Sequence, residues 1–147
     1  MPSTHTNLHY HLVFSTKNHV PLIRPAWSGR LYAYLGGIVK GLNGVPLAIG
    51  GIADHIHMLL GLNSSHRIDY VVRDIKADST IFIKAEFEPK FSWQKGYGAF
   101  TVSPSGVEAV RKYVLNQEVH HRNKTFQVEY VELLDKSNTP YDKDFLW

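Results

Sequence analysis

Two periodicities of apolar residues alternate along the chain, and their order is the feature that most constrains the fold. A period of two predicts strands, and a period near 3.6 predicts helices. The order is strand, helix, strand, strand, helix, strand, in segments that cover 8–16, 27–42, 45–62 (two strands), 68–82 and 93–103. This order predicts an α+β fold of the ferredoxin-like split βαβ type, in which an antiparallel sheet carries both helices on one face.

Local signals for turns and helix ends add a turn and two further helices to this predicted fold. The pair Gly50-Gly51 predicts the connection between the two middle strands. A third helix, capped at Ser103 or Ser105, is expected to run through Gln117 to His121. Apolar residues in 126–134 indicate a last short helix that covers a core and has no catalytic role. The sequence shows no linker or repeat, so we expect one domain over 1–147.

Composition excludes several classes of protein. The chain has 147 residues, of which 44% are hydrophobic, enough to fill one core. It has no cysteine, so disulfides and thiolate metal ligands are excluded. The net charge of +3 suits a polyanionic partner without identifying one. No apolar leader or membrane-length run is visible, so a cytoplasmic protein is the expectation.

Two histidines separated by one residue form the most informative short motif. Because side chains alternate along a strand, His55 and His57 share a face, while Ile56 points into the core. We expect the pair to lie exposed on the open face of the sheet. With nine histidines in the chain, two exposed histidines without a function would also explain the spacing. Tyr113 and Gln117, four residues apart, share one face of the third helix.

These residue types together indicate one kind of chemistry. Imidazole nitrogens and a glutamine carbonyl oxygen can hold a divalent cation and leave a position for a substrate oxygen. A cation held in this way polarises a phosphodiester. Tyrosine, with an ordinary pKa of about 10, is a weak nucleophile that needs such help. The set therefore favours covalent phosphotyrosine chemistry.

Four blocks of sequence resemble the HUH-type single-tyrosine transposases of bacterial and archaeal insertion sequences, named for the His-hydrophobic-His motif. The blocks follow the order of that family, and the resemblance runs over nearly the whole chain. They lie at 10–17, 54–60, 93–103 and 110–117 and read YHLVFSTK, DHIHMLL, WQKGYGAFTVS and VRKYVLNQ. Four ordered blocks are far more specific than the histidine pair alone.

The resemblance implies a DNA transposase with defined roles for four residues. His55, His57 and Gln117 would bind Mg²⁺ or Mn²⁺, and Tyr113 would be the nucleophile. Such enzymes cleave single-stranded DNA beside hairpins at the element ends, through a 5′-phosphotyrosine intermediate, and rejoin it without a nucleotide cofactor. They act as homodimers, in which the tyrosine is expected to reach the histidines of the other subunit in trans.

Other candidates are expected to play supporting roles. Asp54, His120 and His121 could orient the metal ligands, and three basic residues are weak candidates for phosphate contacts: Lys17, Lys76 and Arg111. The pair His9 and His11 is expected to be exposed and without a function. Tyr97 is the rival nucleophile, although its aromatic neighbours favour a packing role. Two other functions stay open: a metal-dependent phosphodiester hydrolase and a non-catalytic hairpin-binding relative.

Overall fold

The computed structural model describes residues 3–147 and arranges them as a sheet with helices on both faces. The strands are β1 (Leu8–Ser15), β2 (Val45–Ile52), β3 (His55–Leu62) and β4 (Gly98–Val102). The helices are α1 (Pro25–Gly41), α2 (Ile68–Glu86), α3 (Val107–Leu115), α4 (Gln117–His120) and α5 (Phe126–Lys136). The strand order is β2-β3-β1-β4, and every pairing is antiparallel. The predicted ferredoxin-like α+β fold is confirmed.

One face of the sheet, which we call the apolar face, packs against α1 and α2. Alternate residues of β1 and β3 supply it, among them Phe14, Ile56 and Leu60, all wholly buried. The helices contribute the side chains that match, such as Leu31 of α1 and Ile75 of α2. Continuous burial of this kind on one face of three strands and two helices forms the main hydrophobic core.

The opposite face, which we call the site face, is covered by α3 and α5. Val13 of β1 packs with Phe126 and Tyr130 of α5, and Leu59 of β3 packs with Val114 of α3. The expectation that this face lies open is therefore wrong, because the chain after β4 folds back across it. The short helix expected around 126–134 is present as α5.

Two glycines serve a different purpose from the one that the sequence suggested. Gly50 and Gly51 lie inside β2, and the turn to β3 falls at 53–54. A Cβ atom added at Gly50 would clash with the carbonyl oxygen of Val114. The missing side chain at Gly50 therefore lets the backbone of α3 lie directly against β2, which positions the residues around Tyr113.

The predicted boundaries of strands and helices differ from the observed ones both just before β4 and after it. The segment that leads into β4 is irregular from Trp93 to Tyr97, and only an isolated bridge pairs Trp93 with Thr16. A 3₁₀ turn at Pro104–Gly106 precedes α3, and neither predicted serine cap makes a capping hydrogen bond. Helix α3 ends at Leu115, so Gln117 opens α4 instead of continuing α3.

Among residues 3–147, no helix has both the length and the apolar character needed to cross a membrane.

Candidate metal and tyrosine site

The histidine pair of β3 lies in the buried layer between the sheet and the helices of the site face. His57 pairs with Val13 and His55 with Ser15 across the β1–β3 ladder. Both histidines are 0% exposed. The expectation of exposed ligands is thus wrong, since α3, α4 and α5 cover the face from which they project. Their shared face follows from the period of a strand.

Gln117 and Tyr113 meet this pair from the other side. The amide nitrogen of Gln117 donates to the carbonyl oxygen of Tyr113 at 3.0 Å, which turns the amide oxygen toward the cluster. That oxygen lies 3.2 Å from Nε2 of His55 and 3.1 Å from Nε2 of His121. The two residues keep their proximity although the helix is interrupted at Asn116.

Glu129 of α5 occupies the centre of the cluster and escaped the sequence analysis. Its Oε1 atom lies 3.0 Å from Nε2 of both His57 and His121, and 3.3 Å from Nε2 of His55. Its Oε2 atom accepts a hydrogen bond from the Tyr113 hydroxyl. The last helix was expected only to cover a core, and the structure shows that it also brings a buried carboxylate to the histidines and to Tyr113. A signal was available: Glu129 lies on the apolar face of α5.

Hydrogen bonds on the side away from Glu129 fix the orientation of three imidazole rings, those of His55, His57 and His121. Nδ1 of His55 lies 2.8 Å from Asp54 Oδ1 and donates to it, because a carboxylate oxygen can only accept. His121 uses its own Nδ1 to donate to the carbonyl oxygen of Lys124 at 2.6 Å. His11 and His57 share a hydrogen bond of 2.8 Å between Nε2 and Nδ1. The expectation of an exposed His11 is wrong, because it is 5% exposed and stacks on His57.

The donor atoms fit a divalent cation. Ligand atoms from four residues all lie within 4.8 Å of one another: His55, His57, His121 and Glu129. Imidazole nitrogens and a carboxylate oxygen are ordinary metal ligands, and the hydrogen bonds to their far sides are those that hold such ligands in place. The cluster therefore has the chemistry of a metal site.

Burial opposes the charged forms within this cluster, and hydrogen bonds counteract it selectively. Burial lowers the pKa of His57 to about 4 despite its contact with Glu129. At His55, hydrogen bonds with Asp54 and Glu129 outweigh burial and raise the pKa. Burial would raise the pKa of Glu129, but its histidine partners hold it well below its usual range. Burial and then the Glu129 carboxylate raise the pKa of Tyr113, so its hydroxyl is a poor nucleophile without an added positive charge.

The remaining candidates lie at varying distances from the cluster. His120 is exposed, although its ring packs 4.6 Å from that of Tyr113. Lys17 and Arg111 are exposed, and Arg111 pairs with Glu108 at 3.5 Å. Neither contacts the cluster residues.

Two candidates lie on the apolar side of the sheet. Lys76 of α2 donates to carbonyl oxygens of Gln94 and Gly96, and burial lowers its pKa to about 8. Its ammonium group lies 5.1 Å from the centre of the Phe14 ring. The rival nucleophile Tyr97 packs against the same apolar core. The structure therefore separates Lys76 and Tyr97 from the histidines, and Tyr113 is the tyrosine that it brings to them.

Tyr113 lies beside the histidines of its own chain. The centre of its ring is 5.6 Å from that of His57 and 6.0 Å from that of His11. Within one chain, the tyrosine, the histidines and the amide therefore lie together.

Comparison with known proteins places this arrangement in context. A family model described as "Transposase IS200 like" matches residues 4–117. A protein of Deinococcus radiodurans R1, described as a transposase, has a similar structure, with a TM-score of 0.65 and 24% identity over 80% of this chain and 95% of that chain. A REP-associated tyrosine transposase bound to a REP hairpin matches with a TM-score of 0.62 and 13% identity, over 83% and 75% of the two chains. These two likenesses show a shared fold. A search among curated proteins finds no match.

Proposed function

The chain belongs to the family of IS200-like transposases, and from this premise we propose that it cleaves and rejoins single-stranded DNA through a covalent bond to Tyr113. One observation carries the proposal. The Tyr113 hydroxyl donates to Glu129, whose other oxygen contacts the histidines of the candidate metal site. A nucleophile and a cation site that share one carboxylate suit attack on a phosphodiester.

The proposed step exchanges one phosphoester bond for another. The Tyr113 oxygen forms a bond to phosphorus, and the bond from phosphorus to the 3′ oxygen of the preceding nucleotide breaks. The products are a 5′-phosphotyrosine and a free 3′-hydroxyl. The proton lost by Tyr113 balances the proton gained by the leaving oxygen, and Glu129 Oε2 is the group placed to carry it. The reverse step rejoins a DNA end without an energy source.

The cation site completes the proposal. The family resemblance implies that His55, His57 and Gln117 would hold Mg²⁺ or Mn²⁺, and Glu129 lies at the same point. When bound, such a cation stabilises the negative charge on the phosphate as a Lewis acid. His55, His57 and Gln117 are almost wholly buried, which strengthens the electrostatic interactions among them and with a bound cation.

DNA hairpins at element ends are the proposed substrate. Support comes from the similar fold of a transposase that is bound to a REP hairpin. The net charge of +3 is compatible with a nucleic-acid partner. Lys17 and Arg111 remain candidate phosphate contacts, since their side chains are exposed.

The proposal is tested by incubating the protein with single-stranded DNA from the flanks of its own gene and Mn²⁺. We expect a protein–DNA adduct that resists denaturation and that is lost in Tyr113→Phe. Tyr97→Phe is the matched control and should form the adduct at the level of the unmodified chain. Cleavage without an adduct would instead indicate a hydrolase, and hairpin binding without cleavage would indicate a non-catalytic relative.

We also propose a homodimer, on the basis of the family resemblance. The trans arrangement of the tyrosine would require α3 to leave the histidines that it contacts in the single chain. Mixing His57→Ala with Tyr113→Phe subunits separates the two arrangements. A trans dimer regains one working site, whereas a cis dimer stays inactive in a heterodimer that mass spectrometry has verified.

A further inference from the structure

The hydrogen-bond roles at His121 leave a lone pair directed into the cluster. Its Nδ1 faces the carbonyl oxygen of Lys124 and must carry the proton. In a neutral ring, Nε2 then has a lone pair. That lone pair faces Glu129 Oε1 at 3.0 Å and Gln117 Oε1 at 3.1 Å, and neither oxygen can donate.

His55 repeats the same arrangement. Its Nδ1 faces the Asp54 carboxylate, so the proton of a neutral ring lies there. Its Nε2 faces Gln117 Oε1 at 3.2 Å and Glu129 Oε1 at 3.3 Å. The lone pairs of two imidazoles and the oxygens of an amide and a carboxylate therefore converge on one buried point.

The ligand atoms of His55, His57, His121 and Glu129 all lie within 4.8 Å of one another, so one divalent cation can accept both lone pairs and the carboxylate. The hydrogen bonds on the far sides of the two rings, to Asp54 and to the Lys124 carbonyl oxygen, stay intact when it binds.

We propose that His121 and Glu129 bind the cation directly with His55 and His57, and that this site therefore prefers a transition-metal dication, such as zinc or cobalt, over magnesium. The inference rests on the metal site of the proposed function and names the class of its cation. Three imidazoles and one carboxylate form a donor set that transition metals favour, whereas Mg²⁺ prefers oxygen ligands. His121 and Glu129 lie beyond the segment 4–117 that matches the family. The cation thus ties α5 to the sheet.

The test is metal binding by the full-length, chelator-stripped chain without DNA. Titration with Co²⁺, followed by visible absorption, should show one equivalent bound. Competition should rank Zn²⁺ above Mn²⁺ and Mn²⁺ above Mg²⁺.

His121→Ala and Glu129→Gln should each weaken the affinity for Zn²⁺ by more than the roughly 10–100-fold loss that removal of a hydrogen-bond partner of a ligand causes. The matched controls His120→Ala and Glu132→Gln, on the same helices, should leave the affinity unchanged. Absence of stoichiometric binding, a preference for Mg²⁺, or full affinity in either ligand variant would overturn the inference.

A second measurement needs no variant and covers the case in which Glu129→Gln fails to fold. X-ray absorption spectroscopy of the zinc-loaded, unmodified chain counts its imidazole ligands. We expect three imidazoles and one carboxylate oxygen, and two imidazoles would contradict the inference. Because neither measurement uses DNA, a result against the inference leaves adduct formation at Tyr113, and with it the proposed function, to be judged by its own experiment.

Discussion

The two faces of the sheet share the same strands, but the apolar face buries mainly hydrophobic side chains, whereas the site face buries a polar cluster beside its own apolar contacts. On the apolar face, Ile56 and Leu60 pack with Phe14 in a core of hydrophobic residues. On the site face, His55 and His57 alternate with those residues and are buried to the same extent. The period of two along β3 thus places hydrophobic packing and polar chemistry one residue apart.

The difference shows that burial alone does not separate structural from functional residues. A buried apolar side chain stabilises the fold by leaving water. A buried polar side chain costs free energy unless a partner satisfies it, so the site face requires the network that Glu129 completes. We therefore expect changes on the apolar face to affect stability, and changes on the site face to affect chemistry as well.

The largest effect is expected for His57→Ala. It removes a proposed cation ligand, and we expect adduct formation to fall by roughly 10²–10³-fold. The change also deprives buried Glu129 of a partner, at a cost of about 1–3 kcal/mol in the free energy of unfolding. The adjacent control Ile56→Val points to the other face and should lose about 0.5–1.5 kcal/mol with normal adduct formation. Equal losses of adduct formation in both variants would show that the two faces do not differ in their contribution to the chemistry.

The neighbouring pair Leu59 and Leu60 tests both faces with one chemical change. Both side chains are 0% exposed, so Leu→Ala should cost about 2–5 kcal/mol at either position in urea unfolding. Leu59 supports Val114, next to the tyrosine, and its loss should also lower adduct formation by up to about a hundredfold. Leu60→Ala should keep full activity per folded molecule. The same activity in both folded variants would show that α3 does not depend on Leu59 for its position.

A smaller effect is expected where α3 meets β2. Gly50→Ala places a methyl group against the carbonyl oxygen of Val114, and the resulting shift should cost about 1–3 kcal/mol in thermal or urea unfolding and reduce adduct formation. The control Gly37→Ala lies in α1 with nothing within 4 Å of the added atom. It should raise stability by about 0.5–1 kcal/mol. An undisturbed adduct yield in Gly50→Ala would contradict close docking of α3.

The pH dependence of stability is expected to show the smallest contrast between the faces. Burial lowers the pKa of His57 to about 4, and burial with the charge of His57 lowers that of His11 to about 3. The unfolded chain therefore binds more protons below about pH 6.5, so the free energy of unfolding should fall as pH drops from there toward about 4. The raised pKa of His55 opposes this trend, since its contribution is lost as pH rises.

Urea unfolding of the metal-free chain at several pH values measures that slope. His11→Phe should flatten it, because one buried neutral imidazole is removed. Leu60→Ala should shift the whole curve down without changing its slope. A slope that His11→Phe leaves unchanged would mean that His11 takes up its proton in the folded chain as readily as in the unfolded one.

Local patterns in the sequence predicted the frame and part of the site. The period of two placed His55 and His57 on one face, and helical periods identified α1 and α2. The spacing of Tyr113 and Gln117 brought them together in spite of the helix break, because the amide bonds back to the backbone one turn earlier. These are short-range relations that the chain specifies by itself.

The missing parts depend on contacts between distant segments. Glu129 meets His57 only because α5 folds across the sheet, 72 residues along the chain. His11 reaches His57 because β1 lies beside β3 in the strand order. Local periodicity does not determine such contacts, although a glutamate on the apolar face of α5 was a hint.

If the site face presents Tyr113 to a DNA phosphate, Tyr113 is the residue that becomes joined to the DNA. Identifying the residue that carries the DNA tests this directly. The unmodified chain is allowed to react with its flanking single-stranded DNA, the adduct is digested with protease and nuclease, and the modified peptide is sequenced by mass spectrometry. We expect a nucleotide joined through its 5′ phosphate to Tyr113. A nucleotide on Tyr97, on the other face of the sheet, or strand cleavage with no modified peptide would contradict the account.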